Sequence, residues 1–214
     1  MLTTAADAIL IVVLLMNLFM LGTSRINSVI RIVAAQGVAL GVMALIQHGE
    51  LGLRTVLLAG ATIAVKGAVI PWMLTRAMRQ VQIKREVEPL VGLVPSMLLG
   101  AAGTGLAVLF AAQLPIVRGH GSSLIVPASL ATVLTGFVLL TTRIKAISQV
   151  LGYLALENGI FTFGLLLLEA MPFLVEIGAL LDLFVGVFVI SIIIHHINRE
   201  FATLDTRKLS TLKD

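Results

Sequence analysis

Four polar residues stand near the middle of long apolar runs: Gln36, Lys66, Glu157 and Asp182. Glu157 has polar company on its own helix face. Gln149, Tyr153 and Glu157 recur every fourth residue, a spacing that stacks them along one side of a helix, and Asn158 follows directly. Burial acts on a carboxyl in one direction and a nearby cation or hydrogen-bond donor in the other, so such a group can exchange a proton near neutral pH. Ser148 or Gln149 could anchor water toward one end of that helix. Asp182 is flanked by Gly178 and Gly186, four residues to either side, a small-residue stripe that lets a neighbouring helix approach closely. Lys66 lies five residues before Pro71. The proline deprives the Gly67 carbonyl of its helix donor and predicts a kink there, and a desolvated lysine readily exchanges its proton.

Glu157, Asp182 and Lys66 are therefore the candidate proton-relay groups, with Gln36, Tyr153, Gln149 and Asn158 as hydrogen-bonding support. Glu176, about a turn inside the last apolar run, and His196, roughly on the Asp182 face at a spacing of fourteen, are weaker additions. An Asp or Lys at a helix centre in a bilayer costs about 2.5–3.5 kcal/mol. Three unpaired charges would thus cost on the order of 9 kcal/mol, which a role or a partner must offset. The plainer alternative is a structural ion pair between Lys66 and one carboxylate. No metal site is expected: His195 and His196 are adjacent and diverge by about 100° on a helix, and the chain has no cysteine, which also removes disulfides and iron–sulfur clusters.

The elements that must carry these residues are helices in lipid. Of 214 residues, 58% are apolar and 12% charged, against about 45–50% and about 25% for soluble domains. Apolar runs fall at about 5–22, 27–47, 52–76, 89–113, 123–142, 145–170 and 172–196, long enough to span and without the two-residue alternation of barrel strands. The expected fold is all-α and polytopic, with about seven transmembrane helices and no room for a soluble catalytic domain. A helix must satisfy its own backbone in lipid. Met1 to Asp7 lacks the basic residues of a cleavable leader, so the first run reads as a retained span.

Twelve of the 15 basic residues fall after runs 1, 3, 5 and 7, two (Arg54 and Arg118) on the other side, and Lys66 within a run. The positive-inside rule then puts the N-terminus outside and the C-terminus in the cytoplasm. The net charge of +4 is thus a topology signal rather than a nucleic-acid footprint, which would need a basic groove or aromatics. Leu21, Thr23, Arg25, Ile26 and Gly41 recur as Leu139, Thr141, Arg143, Ile144 and Gly159 at a constant shift of 118 residues. That pattern divides the chain into a three-helix segment (1–88), a connecting helix (89–122) rich in small residues (Ser96, Gly100, Gly103, Thr104, Gly105), and a second three-helix segment with its tail (123–214).

The second segment carries Leu134-Thr135-Gly136, Ala155-Leu156-Glu157-Asn158 and Asp182-x-x-x-Gly186. It resembles the K-type subunit of respiratory NADH:quinone oxidoreductase, where the second span holds a mid-membrane Glu, matched by Glu157, and the third another, where this chain has Asp182. With four further spans in front, including Val65-Lys66-Gly67 and Ile70-Pro71, the whole chain resembles the hydrogenase-4 component E family. That resemblance implies a non-catalytic subunit of a membrane-bound nickel–iron hydrogenase or formate hydrogenlyase in the inner membrane, itself without cofactor. It implies antiporter-like and quinone-oxidoreductase-like membrane subunits and peripheral cytoplasmic hydrogenase subunits as partners, besides lipid. Two rivals remain: a subunit of a multisubunit cation/proton antiporter, and a passive membrane scaffold. Because polar groups fall on several spans, neighbouring subunits are expected to cover them.

Overall fold

The computed structural model describes residues 2–47, 53–81, 89–114, 123–167 and Phe184. Asp182, Glu176 and His196, and with them the seventh apolar run apart from Phe184, lie outside the described residues. Within them the chain is helical and contains no strand. Helix α1 spans Leu2–Gly22 and α2 Ile26–Gln47, joined at Thr23, Ser24 and Arg25. Next come α3 (Leu53–Ala64), a π turn (Val65–Val69) and α4 (Ile70–Val81), which run on without a break. Helices α5 (Leu93–Ala112), α6 (Ile125–Thr142) and α7 (Ala146–Gly164) follow, with a 3-10 turn at Leu165–Leu167. Pro95 and Pro127 fall in the first turns of α5 and α6, where a missing N–H costs nothing. The connections α1–α2 and α6–α7 are short, which makes each pair antiparallel neighbours.

Among the described residues, four stretches are long and apolar enough to cross a membrane: Ala5–Gly22, Ile26–Ile46, Leu93–Ala112 and Ile125–Thr142. This is a helical membrane protein. The third expected span is divided by the π turn into two shorter helices. Helix α7 is less apolar because it carries Gln149, Glu157 and Asn158, and it does not need to face lipid. Its residues Ile147, Ser148, Val150, Leu151, Gly152, Leu154, Ala155, Glu157, Asn158, Gly159 and Thr162 are all buried by other helices. On the opposite extreme, α5 exposes Val94, Leu98, Leu106, Leu109 and Phe110, and packs only its small face, Ser96, Gly100 and Gly103, inward. Gly105 of the same helix points at open space.

The buried apolar side chains form two clusters, and α1, α2 and α6 contribute to both. One holds Met20 and Leu21 of α1, Ile26 to Val33 of α2, Leu74 and Met78 of α4, Leu139 of α6 and Ile147 to Ala155 of α7. The other holds Ala6, Leu10 and Val13 of α1, Leu40 and Met43 of α2, Ile125 and Ala128 of α6, and Leu165. Between the two along each chain segment come buried polar residues: Asn17, Gln36, Thr132, Glu157, Asn158 and Thr162. The helices thus sandwich a polar layer between two greasy ones.

Helices α6 and α7 touch backbone to backbone. A Cβ placed on Gly136 would lie 2.5 Å from the Leu156 nitrogen, and one on Gly152 would lie 2.6 Å from the Leu140 nitrogen. Without hydrophobic drive between spans, close van der Waals approach at small residues is what holds such a pair. Gly136→Ala and Gly152→Ala should each destabilise the fold by roughly 1–3 kcal/mol, the usual range for overpacking. Gly105→Ala, which meets nothing within 4 Å, should be neutral or gain up to about 1 kcal/mol from helix propensity. Thermal melts in detergent that moved all three variants alike would contradict this packing.

Two of the recurring residue pairs have different surroundings. Arg25 is exposed whereas Arg143 is buried. Gly41 packs on Ile63 of α3, whereas Gly159 packs on Val133 and Ser129 of α6.

Candidate functional site

Lys66 sits in the π turn. There the Ile70 N–H donates to the Val65 carbonyl five residues back. The sequence predicted a plain proline kink at Gly67, and the structure has this wider turn instead, directly before Pro71. Proline lacks an N–H and its ring crowds the carbonyl four residues earlier, so the regular ladder cannot run through it. Single π turns of this kind recur at functional sites. Gly37 of α2 makes room for the lysine stem: a Cβ there would lie 2.7 Å from the Lys66 Cβ. Gly67 is the reciprocal opening, against Val38.

The ammonium so placed meets one turn of α7. Lys66 Nζ lies 3.2 Å from Glu157 Oε1 and donates a hydrogen bond of 3.2 Å to Asn158 Oδ1. It also stands over the Phe161 ring, 5.4 Å from the centroid. Lys66 is 7% exposed, Glu157 and Asn158 each 2%. Asn158 is itself held: its Nδ2 donates to the Val33 carbonyl at 3.3 Å, and its carbonyl accepts from Thr162 Oγ1 at 2.8 Å. The plain ion pair weighed from sequence therefore exists, and Lys66 is no snorkelling residue.

A second polar group crosses the same layer on the far side of α2. Gln36 Nε2 donates to Asn17 Oδ1 at 2.8 Å and to the Val13 carbonyl at 3.4 Å. Asn17 Nδ2 donates to Thr132 Oγ1 at 2.8 Å, and Thr132 donates to the Ala128 carbonyl at 2.7 Å. Both Gln36 donors are used, so its amide cannot be flipped, and Gln36 Oε1 has no hydrogen-bond partner. Gln36 thus ties α1, α2 and α6 together rather than touching the ion pair. Its neighbour Gly37 does that.

Of the other expected supporting residues, Asn158 joins the pair directly. Tyr153 is half-buried and packs against the apolar cluster near the α6–α7 turn. Gln149 shares the Glu157 face but is exposed, and its Nε2 donates to the Arg143 carbonyl at 3.0 Å. The short turn leaves that carbonyl without a helix donor, and Gln149 fills it. Asp182, Glu176 and His196 are outside the described residues. The expectation that other subunits must cover the polar groups is also corrected for Gln36, Lys66, Glu157 and Asn158, which the chain's own helices bury. Among the described residues no cluster of His, Cys, Asp and Glu could hold a metal ion.

Sequence reasoning missed Asn17, Thr132, Phe161 and Arg143. Asn17 was detectable as the lone polar side chain between Asp7 and Thr23. Arg143, counted as a loop charge, is 3% exposed, and its Nη2 donates to the Leu21 carbonyl at 3.1 Å. It caps the C-terminus of α1, where carbonyls lack partners and the helix dipole favours a cation.

The fold and this layer define a class: an all-helical membrane protein that encloses a lysine–carboxylate pair in its own middle. The chain is similar to the "Uncharacterized protein Rv0085" of Mycobacterium tuberculosis, with 36% identity over 193 residues that cover 88% of this chain and 87% of that one. It belongs to the family of that protein. No protein-family model matches the chain, and no solved structure does.

Proposed function

We propose that this chain is a multi-pass inner-membrane subunit of a multisubunit, redox-driven proton-translocating complex of the membrane-bound nickel–iron hydrogenase type, with Lys66 and Glu157 as proton-relay groups. The observation that carries the reading is the ion pair of 3.2 Å between residues 7% and 2% exposed. A buried pair of this kind is a poor source of stability, and apolar replacements commonly do as well. A pair set in a π turn, with the Asn158 amide oxygen on the ammonium, is better accounted for by moving charge. The family resemblance supplies the redox setting. Electron chemistry would reside on other subunits, in keeping with a chain without cysteine.

In this reading the chain has seven spans, with the N-terminus outside and the C-terminus cytoplasmic, and Asp182 continues the relay. A scaffold role is the second reading, favoured by the fact that the pair is closed within one chain. Purification of the tagged chain from native membranes tests the setting: co-purification with cysteine-rich metal-binding subunits is expected, and recovery alone with full transport activity in liposomes would contradict it. For the topology, a C-terminal reporter should be active only on the cytoplasmic side; activity only outside would overturn the orientation.

A further inference from the structure

The repeated motif of the sequence comes together at one end of the bundle. Leu21-x-Thr23-x-Arg25-Ile26 makes the α1–α2 turn and Leu139-x-Thr141-x-Arg143-Ile144 the α6–α7 turn. The two turns meet: Arg143 Nη2 donates to the Leu21 carbonyl at 3.1 Å, and an open cavity lies between them. Its polar wall is Thr23, Ser24, Arg143 and Ser148, and Val29 of α2 and Leu151 of α7 face it from the apolar side. Arg143 and Ser148 are both more than nine-tenths buried, so a cation and a hydroxyl residue are already held out of water there. The cavity is narrow, with room at its floor for about one oxygen-sized group. Helix α7 opens at Lys145, a residue with no acceptor to offer the first N–H groups, which therefore favour an anion. The charge around it has one sign. Arg25, between the lining residues Ser24 and Ile26, is exposed. Asp7 and Glu157, the acidic residues among the described ones, stand near the far end of α1 and about three turns into α7. Depth fixes the neighbourhood. Thr23 and Arg143 are the first residues beyond the apolar stretches Ala5–Gly22 and Ile125–Thr142, which is the level of lipid headgroups for a spanning helix.

We propose that this cavity binds the phosphate of an anionic phospholipid, with one non-ester oxygen on the Arg143 guanidinium and the Ser148 hydroxyl and the acyl chains left in the bilayer. Arginine suits the task because its planar fork matches phosphate oxygens and stays charged when buried. The narrow floor admits one oxygen at a time, which leaves the rest of the headgroup at the mouth beside Arg25. A lipid bound there ties the α1–α2 hairpin to the α6–α7 hairpin, the element that carries Glu157. The site stands on its own residues and does not depend on the redox reading above.

The test uses the purified, delipidated full chain in detergent, titrated with phosphatidylglycerol, phosphatidylcholine or inorganic phosphate. Native mass spectrometry counts the lipid retained, and thermal melts report the folded state. Phosphatidylglycerol should be retained as a single lipid per chain and raise the melting temperature to a plateau, since a ligand that binds only the folded state stabilises it by mass action. Phosphatidylcholine should bind more weakly, and inorganic phosphate should leave the melt unchanged. Equal retention of the two lipids would overturn the proposal. A rise in phosphate as large as that in phosphatidylglycerol would make a free anion the ligand and overturn it too. Ser148→Ala should weaken phosphatidylglycerol binding by about tenfold, the loss of one hydrogen bond to a charged group. Arg143→Gln should weaken it further, and Arg143→Lys should recover part of the loss because charge returns without the fork. Arg79→Gln removes an exposed charge of α4 outside the cavity and should leave retention unchanged. Equal losses in Arg79→Gln and Ser148→Ala would mean diffuse surface charge and overturn the site. Should Arg143→Gln fail to fold, Ser148→Ala decides: weakened retention supports the site and unchanged retention overturns it.

Discussion

Replacing Lys66 with methionine should lower the stability of the folded chain by about 3–5 kcal/mol, the range seen when one partner of a buried ion pair is removed. The stem survives the change, so the packing on Gly37 is kept and no large cavity opens. What is lost is the cation 3.2 Å from Glu157, in a residue with 2% exposure and therefore little water to replace it. Glu157→Gln should cost less, because the ammonium keeps the Asn158 oxygen, the Phe161 face and a new amide oxygen. The double variant removes both charges and should return to within about 2 kcal/mol of the wild type, as neutral replacements of buried pairs often do. Reversible unfolding in mixed micelles measures all three. The two residues share a contact, so the single-variant losses should not add. Additive losses, or a Lys66→Met loss below about 1 kcal/mol, would mean that the pair is not closed in the membrane.

Glu157→Gln in the intact complex should assemble normally and lose redox-driven proton uptake into vesicles by at least about tenfold, within the range general acid–base groups contribute. Glutamine keeps the shape and an acceptor for Lys66 but holds no exchangeable acid proton at neutral pH. Glu157→Asp should retain part of the activity, because the acid remains one methylene short of its partner. The scaffold reading expects the opposite ordering, with complex yield falling and coupling per assembled complex unchanged. Yield and uptake measured on the same preparations separate the two. Full coupling in Glu157→Gln would end the relay assignment.

Much of the helix plan was readable from residue order because lipid imposes it. An apolar run long enough to span must satisfy its backbone internally, and so the runs at about 5–22, 27–47 and 123–142 match α1, α2 and α6 within a few residues. Buried polar groups were readable for the same reason. A Gln, Lys or Glu deep in such a run is too costly to be incidental, which singled out Gln36, Lys66, Glu157 and Asn158. Helical periodicity put Gln149 on the Glu157 face, but periodicity says nothing of the turn before it, where the open Arg143 carbonyl claimed the amide.

Which polar group meets which was a matter for tertiary structure alone. Lys66 and Asn158 are 92 residues apart in the chain, and their meeting depends on Gly37 letting the π turn approach and on α7 being held against α6 by Gly136 and Gly152. Gln36, equally central in its own run, faces Asn17 and Thr132 instead, because successive residues on a helix diverge by about 100° and the next position, Gly37, is the one turned to Lys66. Arg143 shows the same limit from the other side. Its charge marks a loop end in the sequence, but only the packing of α1 beside the α6–α7 turn brings the Leu21 carbonyl within reach of its guanidinium. Composition and spacing determine that a membrane helix carries a charge and at what depth, since desolvation acts on each residue locally; the partner is chosen by helix rotation and approach, which depend on residues far away in the chain.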